Sequence, residues 1–107
     1  MNYHEKEALV AIAAKLRERL PGKIAGLRAF GSRVRGDHGP WSDFDVLILV
    51  NGRTPELETA IIDILVQEEQ RFGYSFTPVV KDMRAFARER VFSTAFFENV
   101  EREGVAL

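Results

Sequence analysis

Two aspartates, Asp43 and Asp45, carry the strongest chemical signal in this sequence of 107 residues. One residue separates them, and an apolar run follows from Val46. Side chains two positions apart on a β-strand share a face, with Cα atoms about 6.5 to 7 Å apart, so both carboxylates can reach one metal cluster. Such hard oxygen ligands suit two-metal phosphoryl transfer. For an isolated Asp-x-Asp, capping aspartates at a strand start are the competing interpretation.

An anion-binding turn is predicted upstream, in the segment GSRVRG that begins at Gly31. Ser32 follows and can open a helical turn whose free backbone N–H groups point beyond the end of a strand. Glycine lets a phosphate oxygen approach the backbone, while the Ser32 hydroxyl and the guanidinium of Arg33 or Arg35 add donors. Taken alone, these residues are better explained as a turn with surface arginines than as a phosphate site. Next to the aspartate pair, the turn favours a phosphate and metal site.

Two strands are predicted to hold these residues. Ile24–Phe30 is a short apolar stretch that delivers Gly31 to the turn, and Asp43–Val50 consists almost entirely of β-forming residues. Both faces of this second run are apolar after Asp45, which is typical of a buried strand. It is therefore predicted to lie in the centre of a sheet.

One long helix is predicted before these two strands in the sequence and another after them. Apolar residues recur at helical spacing over His4–Leu20, and a proline and a glycine follow directly. The second helix has Thr54 as its N-cap, Pro55 at its first position and Gly73 as its stop. Each is expected to bury one apolar stripe against the sheet.

The remaining sequence predicts a third strand and a final helix. Tyr74–Val80 alternates as a strand does, and Pro78 favours an edge position. Ser93 is predicted to cap the last helix and Gly104 to end it. This order predicts an α/β (α+β) fold, a small mixed β-sheet with helices packed on it, in a single domain over residues 1–107.

Composition excludes several classes of function. Fifteen Lys and Arg against sixteen Asp and Glu give a net charge of −1, so there is no strong nucleic-acid signal. The absence of cysteine excludes disulfides, zinc–thiolate sites and thiol nucleophiles. No apolar run is long enough to span a membrane, and we expect a soluble cytoplasmic protein.

The pattern GS, then RG, then SD-x-D and an apolar run resembles the nucleotidyltransferase motif of the DNA polymerase beta superfamily. Chain length and element order resemble its minimal, stand-alone members. The specific positions are Gly31, Ser32, Arg35, Gly36, Ser42, Asp43 and Asp45. The resemblance implies the nucleotidyltransferase fold, with two Mg²⁺ coordinated by Asp43 and Asp45. It also implies that Gly31 and Ser32 hold the β and γ phosphates of a nucleoside triphosphate such as ATP, in a nucleotide site completed by Arg33, Arg35 and Ser42.

The implied reaction is in-line attack by an acceptor hydroxyl on the α-phosphorus, with pyrophosphate as the leaving group. Several small proteins of this kind are antitoxins that act beside a helical HEPN-domain ribonuclease. The resemblance therefore implies a HEPN-domain partner, modified by AMP transfer to a tyrosine or held by binding. Homo- and hetero-oligomers both stay open.

The sequence departs from the superfamily pattern at one position, and this departure leaves two hypotheses. Active members of the superfamily usually carry a third carboxylate on a later strand, which here reads SFTPVV. Ser75, Thr77 and Pro78 cannot act as a carboxylate base, and Asp82 is offset from the strand. Two hypotheses follow: a Mg²⁺-dependent enzyme that lacks this base, or a catalytically impaired module that binds a nucleotide or a partner without transfer.

Overall fold

The computed structural model describes residues 1–36 and 43–107 of the chain. In chain order, the elements are α1 (Tyr3–Arg19), β1 (Ile24–Phe30), α2 (Ser32–Arg35), β2 (Phe44–Val50), α3 (Pro55–Phe72), β3 (Phe76–Asp82), α4 (Met83–Phe92), α5 (Ala95–Glu103) and β4 (Val105–Ala106). Helices pack on a mixed sheet, which confirms the predicted fold class. Among the residues described, no helix combines the length and the apolar character that crossing a bilayer requires.

The strand order in the sheet is β3-β2-β1-β4. β1 runs antiparallel to β2 and to β4, whereas β2 and β3 run parallel and are joined through α3. A parallel pair needs such a crossover. The central place of β2 and the edge place of β3, which Pro78 favoured, are both confirmed.

Side chains of β2 alternate between two hydrophobic clusters. Val46 and Ile48 belong to the larger cluster, which α1 and α3 complete. Leu47 and Leu49 belong to the smaller one, which α4 and α5 cover. Because side chains two apart share a face, Asp45 lies on the same face of the sheet as Leu47. The candidate site is therefore on the α4 and α5 side.

The predicted ends of α3 are confirmed. The Thr54 hydroxyl accepts a hydrogen bond from the Leu57 backbone at 3.1 Å, and Pro55 occupies the first position. Gly73 ends the helix in the left-handed conformation, at φ 78°. Glycine adopts that conformation without the steric cost of a Cβ, which explains why the helix stops there.

The prediction was wrong over part of the C-terminal region. The third strand is Phe76–Asp82 rather than Tyr74–Val80, because its parallel register with β2 begins at Phe76. α4 was not predicted, and it buries only Phe86, which is too narrow an apolar stripe for a periodicity argument. β4 has two residues, too few for a pattern.

The cap of the last helix was also misassigned. Ser93 ends α4 at φ 48°, and its neighbour Thr94 caps α5 by accepting a hydrogen bond from the Phe97 backbone at 3.2 Å. Both residue types cap helices, so sequence could not distinguish them before α4 was known. Gly104 ends α5, as predicted.

Candidate active site

The predicted turn follows β1. Gly31 has φ 89°, a left-handed conformation that favours glycine, and its carbonyl oxygen accepts a hydrogen bond from the Arg35 backbone at 3.1 Å. Ser32 is the first residue of α2, a single helical turn. Ser42 lies outside the described residues, so its predicted role stays a prediction.

Gly31 is packed directly against the Asp45 carboxylate. Phe30 pairs with Asp45 across β1 and β2, which brings the next residue, Gly31, beside that side chain. A Cβ built on Gly31 would lie 3.1 Å from Asp45 Cγ and would overlap Asp45 Oδ2. The glycine is therefore required both by the backbone conformation and by the space that the carboxylate occupies. This contact joins the predicted phosphate turn to the predicted metal ligands.

The two aspartates form the acidic part of the site. Asp43 is exposed and precedes β2, and Asp45 is half-buried within the strand. Burial, together with the negative charge of Asp43, raises the pKa of Asp45 above its ordinary value, while Arg35 opposes this shift. An added cation would relieve the repulsion between the carboxylates. Their oxygens are the hard ligands that Mg²⁺ prefers, so these residues fit the implied metal.

Within residues 1–36 and 43–107, no group of three or more His, Cys, Asp or Glu side chains is arranged to hold a metal ion. On β3, the residue beside the aspartates carries a hydroxyl rather than a third carboxylate. Thr77 pairs with Asp45 across β2 and β3, and its Oγ1 donates to Asp43 Oδ2 at 3.0 Å. Thr77 therefore orients Asp43, a role that depends on the parallel register and has no local sequence signal.

Arg33 and Arg35, both predicted to bind nucleotide, lie in different surroundings. Arg33 is buried, forms an ion pair with Glu5 at 3.0 Å and lies 4.5 Å from the centre of the Phe44 ring. Phe44 belongs to the larger hydrophobic cluster, on the opposite face of β2 from Asp45. These contacts give Arg33 a part in joining α2 to α1.

Arg35 is exposed, and its Nη1 donates to Glu103 Oε2 of α5 at 2.8 Å. Its positive charge also acts on Asp45, where it counters the pKa increase that burial and Asp43 cause. Arg35 thus bears on the aspartate pair through its charge. It also ties the turn to the last helix.

Sequence comparison now identifies the family. A model described as "Nucleotidyltransferase domain" matches residues 9–94, which include most of α1, the turn, both aspartates and β3. The chain belongs to the nucleotidyltransferase domain family. A search of curated proteins finds no match.

Solved structures share the fold of this nucleotidyltransferase domain. A toxin–antitoxin crystal structure with AMP-PNP has 18% identity and a TM-score of 0.59, over 90% of this chain and 69% of that one. A mutant of the MntA–HpeT toxin–antitoxin has 19% identity and a TM-score of 0.58, over 92% of this chain and 70% of that one. At such low identity, the likeness shows a common fold alone.

Asp82, the offset carboxylate of this nucleotidyltransferase domain, lies at the far end of β3. It pairs with Val50, five residues beyond Thr77, or about 16 Å along the strand. Its oxygens accept hydrogen bonds from the Arg84 backbone at 2.9 Å and the Gly52 backbone at 3.1 Å, and the bond from Arg84 contributes most to lowering its pKa. Asp82 caps α4 and does not join the aspartate pair.

Glu5 was missed by sequence reasoning, although a local signal existed. Asn2 and Glu5 form a capping box, in which the Glu5 backbone donates to Asn2 Oδ1 at 2.8 Å and Glu5 Oε1 accepts from the Asn2 backbone at 3.1 Å. Burial alone would raise the pKa of Glu5, but the Asn2 hydrogen bond and Arg33 lower it overall. The charged Glu5 carboxylate is thus the ion-pair partner of the buried Arg33 guanidinium.

Proposed function

We propose that this nucleotidyltransferase domain transfers AMP from ATP to a hydroxyl of a protein partner, and that it is the antitoxin of a pair whose toxin has a HEPN domain. The packing of Gly31 against Asp45 carries the proposal, because a triphosphate at the turn would meet the carboxylates directly. The toxin–antitoxin structures that share the fold, one of them with AMP-PNP, support the choice of nucleotide and partner.

In the proposed reaction, Gly31 and Ser32 offer backbone N–H groups to the β and γ phosphates. Asp43 and Asp45 would hold Mg²⁺, and Thr77 keeps Asp43 in position. When bound, Mg²⁺ neutralises charge that develops on the attacking and leaving oxygens. The acceptor oxygen forms a bond to the α-phosphorus while the bond to pyrophosphate breaks, and Arg35 stabilises the departing charge.

A second candidate function follows from the question of which group accepts the proton of the acceptor hydroxyl. Thr77 occupies the strand position beside Asp45, and a threonine hydroxyl does not accept a proton at neutral pH. In the enzyme hypothesis, the proton passes to solvent or to a substrate phosphate. In the alternative, the domain binds nucleotide and neutralises its partner by binding, without turnover.

One experiment distinguishes the two functions. Purified protein is incubated with Mg²⁺, ATP labelled at the α-phosphate and the product of the adjacent gene. The enzyme hypothesis expects label on the partner and none with Asp43→Asn. The binding hypothesis expects none with wild type and label with Thr77→Asp, which supplies a carboxylate. Thr77→Val is the matched control, because it removes the hydroxyl without adding a charge.

A further inference from the structure

The exposed side of α4 carries a stripe of basic and apolar residues. Arg84, Ala87, Arg88, Val91 and Phe92 recur at the spacing by which an amphipathic helix presents one face. All five are exposed, and Val91 and Phe92 each retain 78% of their accessible surface. Because Phe86 alone of α4 is buried in the protein, this stripe is a second face that the described residues leave uncovered.

The arginines of the stripe have no counter-charge within the described chain. Neither Arg84 nor Arg88 forms an ion pair there, and nor does Arg90, whereas the arginines of β1 and α2 do. The one acid of α4, Glu89, is engaged by Lys81 at 2.5 Å and Thr94 at 3.0 Å. The charge of the stripe is therefore available to another molecule.

A groove adjoins this stripe between α4 and α5. It has a volume of about 450 Å³ and is lined by the apolar Leu49, Phe86 and Phe97 together with charged residues. Of the charged residues, Arg28 is paired with Glu101, which leaves the charge of Arg90. Ala87 belongs to both the groove and the stripe. The two form one surface, which combines apolar residues with the arginines of α4 and which we call the α4 surface.

The α4 surface lies on the catalytic side of the sheet. Leu49 and Asp45 point to the same face of β2, four residues or about 13 Å apart. About four extended residues of a protein would bridge that distance. A protein acceptor can thus bind the α4 surface and present a hydroxyl to the aspartates.

The distribution of charge between α3 and α4 indicates which charge that partner carries. α3 carries Glu56, Glu58, Asp63, Glu68 and Glu69 against Arg71, and packs on the other face of the sheet. α4 is basic, whereas α5 beside it carries three glutamates, of which Glu101 and Glu103 are paired with Arg28 and Arg35. The net charge of −1 therefore conceals an acidic α3 and a basic α4. An acidic partner is repelled from α3 and attracted to α4, and long-range charge of this kind also speeds encounter.

We infer that the α4 surface docks an acidic amphipathic segment of the protein acceptor, an inference that rests on the proposed transfer to a protein. A second copy, docking its acidic α3 there, is the competing occupant. Such a contact joins two different surfaces and would build a ring or an open chain of copies, according to the rotation between them. The position of the groove on the catalytic face favours the acceptor.

The test uses the full chain and two helical peptides of 20 residues, one of Glu and Leu and one of Lys and Leu. Wild type is expected to bind the acidic peptide at least tenfold more tightly, measured by fluorescence anisotropy. Arg84→Glu with Arg88→Glu is expected to reverse that preference. The matched control, Lys6→Glu with Arg19→Glu on α1, changes net charge equally and is expected to keep the preference.

Three results would overturn the inference. They are no binding of the acidic peptide, an unchanged preference in the α4 variant, and an equal loss in the α1 control. A wild-type oligomer that the α4 variant dissociates, seen by sedimentation, would assign the surface to a second copy instead. With the adjacent-gene product as acceptor, the α4 variant should raise KM about tenfold and leave kcat unchanged.

Failure of the proposed AMP transfer can be distinguished from failure of the docking inference. The peptides contain no hydroxyl side chain, so their binding does not depend on transfer. Asp43→Asn is expected to bind the acidic peptide as wild type does, even though it transfers no AMP. Peptide binding without any transfer would reject the enzyme hypothesis and keep the docking surface.

Discussion

The two faces of the sheet differ in what their side chains do. On the α1 and α3 face, β2 contributes Phe44, Val46, Ile48 and Val50, all fully buried in a continuous apolar core. On the α4 and α5 face, the same strand contributes a half-buried aspartate and two leucines beneath a smaller cluster. Alternation along one strand thus separates the main apolar core from the candidate site. The apolar face offsets the cost of placing two carboxylates side by side on the other.

Asp45→Asn should have the largest effect, and it should act on transfer rather than on stability. We expect transfer to fall by roughly a thousandfold, because several kcal/mol of charge stabilisation are lost with the metal ligand. The free energy of unfolding should stay constant or rise, since burial and Asp43 both disfavour the charged carboxylate. Activity assays and urea denaturation measure the two effects, and a clear loss of stability would contradict the assignment.

Ile48→Ala should give the opposite result on the opposite face. Ile48 is fully buried among α1 and α3 side chains, so we expect unfolding to become easier by about 2 to 5 kcal/mol. Folded protein should keep its affinity for nucleotide, because the side chain points away from Asp45. Urea denaturation and isothermal titration with AMP-PNP and Mg²⁺ test this, and an equal loss of both would refute the separation of roles.

The two arginines of α2 sharpen the same contrast. Arg33→Ala leaves Glu5 buried without its ion-pair partner, and we expect a loss of about 3 to 5 kcal/mol in stability. Arg35→Ala removes a more exposed pair with Glu103 and should cost no more than about 1 kcal/mol. Its KM for ATP should nevertheless rise about tenfold, because charge near Asp45 is lost. Similar effects of both substitutions on KM would show that Arg33 also contacts nucleotide.

Asp82→Ala should have the smallest effect. We expect a decrease of a few degrees in Tm from the lost α4 cap, with transfer unchanged. The pKa of Asp82 is lowered in the folded protein, so its contribution to stability is present above the ordinary value of 3.8 and disappears as the pH falls through the lowered pKa. Thermal melts from pH 6 downward should therefore show wild type and variant converging. Loss of transfer would instead return Asp82 to the site.

Local sequence predicted those parts of the fold and site that depend on neighbouring residues. The bounds of β1, the caps of α3 and the turn that begins at Gly31 are local properties. The packing of Gly31 on Asp45 and the bond from Thr77 to Asp43 depend on two strand registers. Registers are fixed by tertiary packing, so neither contact was predictable.

Arg33 and Arg35 illustrate the same limit within one helical turn. Both were predicted to bind nucleotide, from composition and proximity to Gly31. Residues two apart on a helix point in nearly opposite directions, so the two side chains cannot share one environment. Which of them faces the aspartates follows from the packing of α2 between α1 and the sheet. That packing is not encoded in the six residues of the turn.

The position of Pro78 in β3 bears on how the protein behaves at high concentration. β3 lies at an edge of the sheet, and proline has no N–H to donate. Proline is tolerated in a strand where its nitrogen faces away from the neighbouring strand, so the outer ladder of β3 is interrupted at that residue. A β-strand from another molecule would lose a hydrogen bond there. The residue that marks the edge thereby discourages intermolecular β-pairing and aggregation.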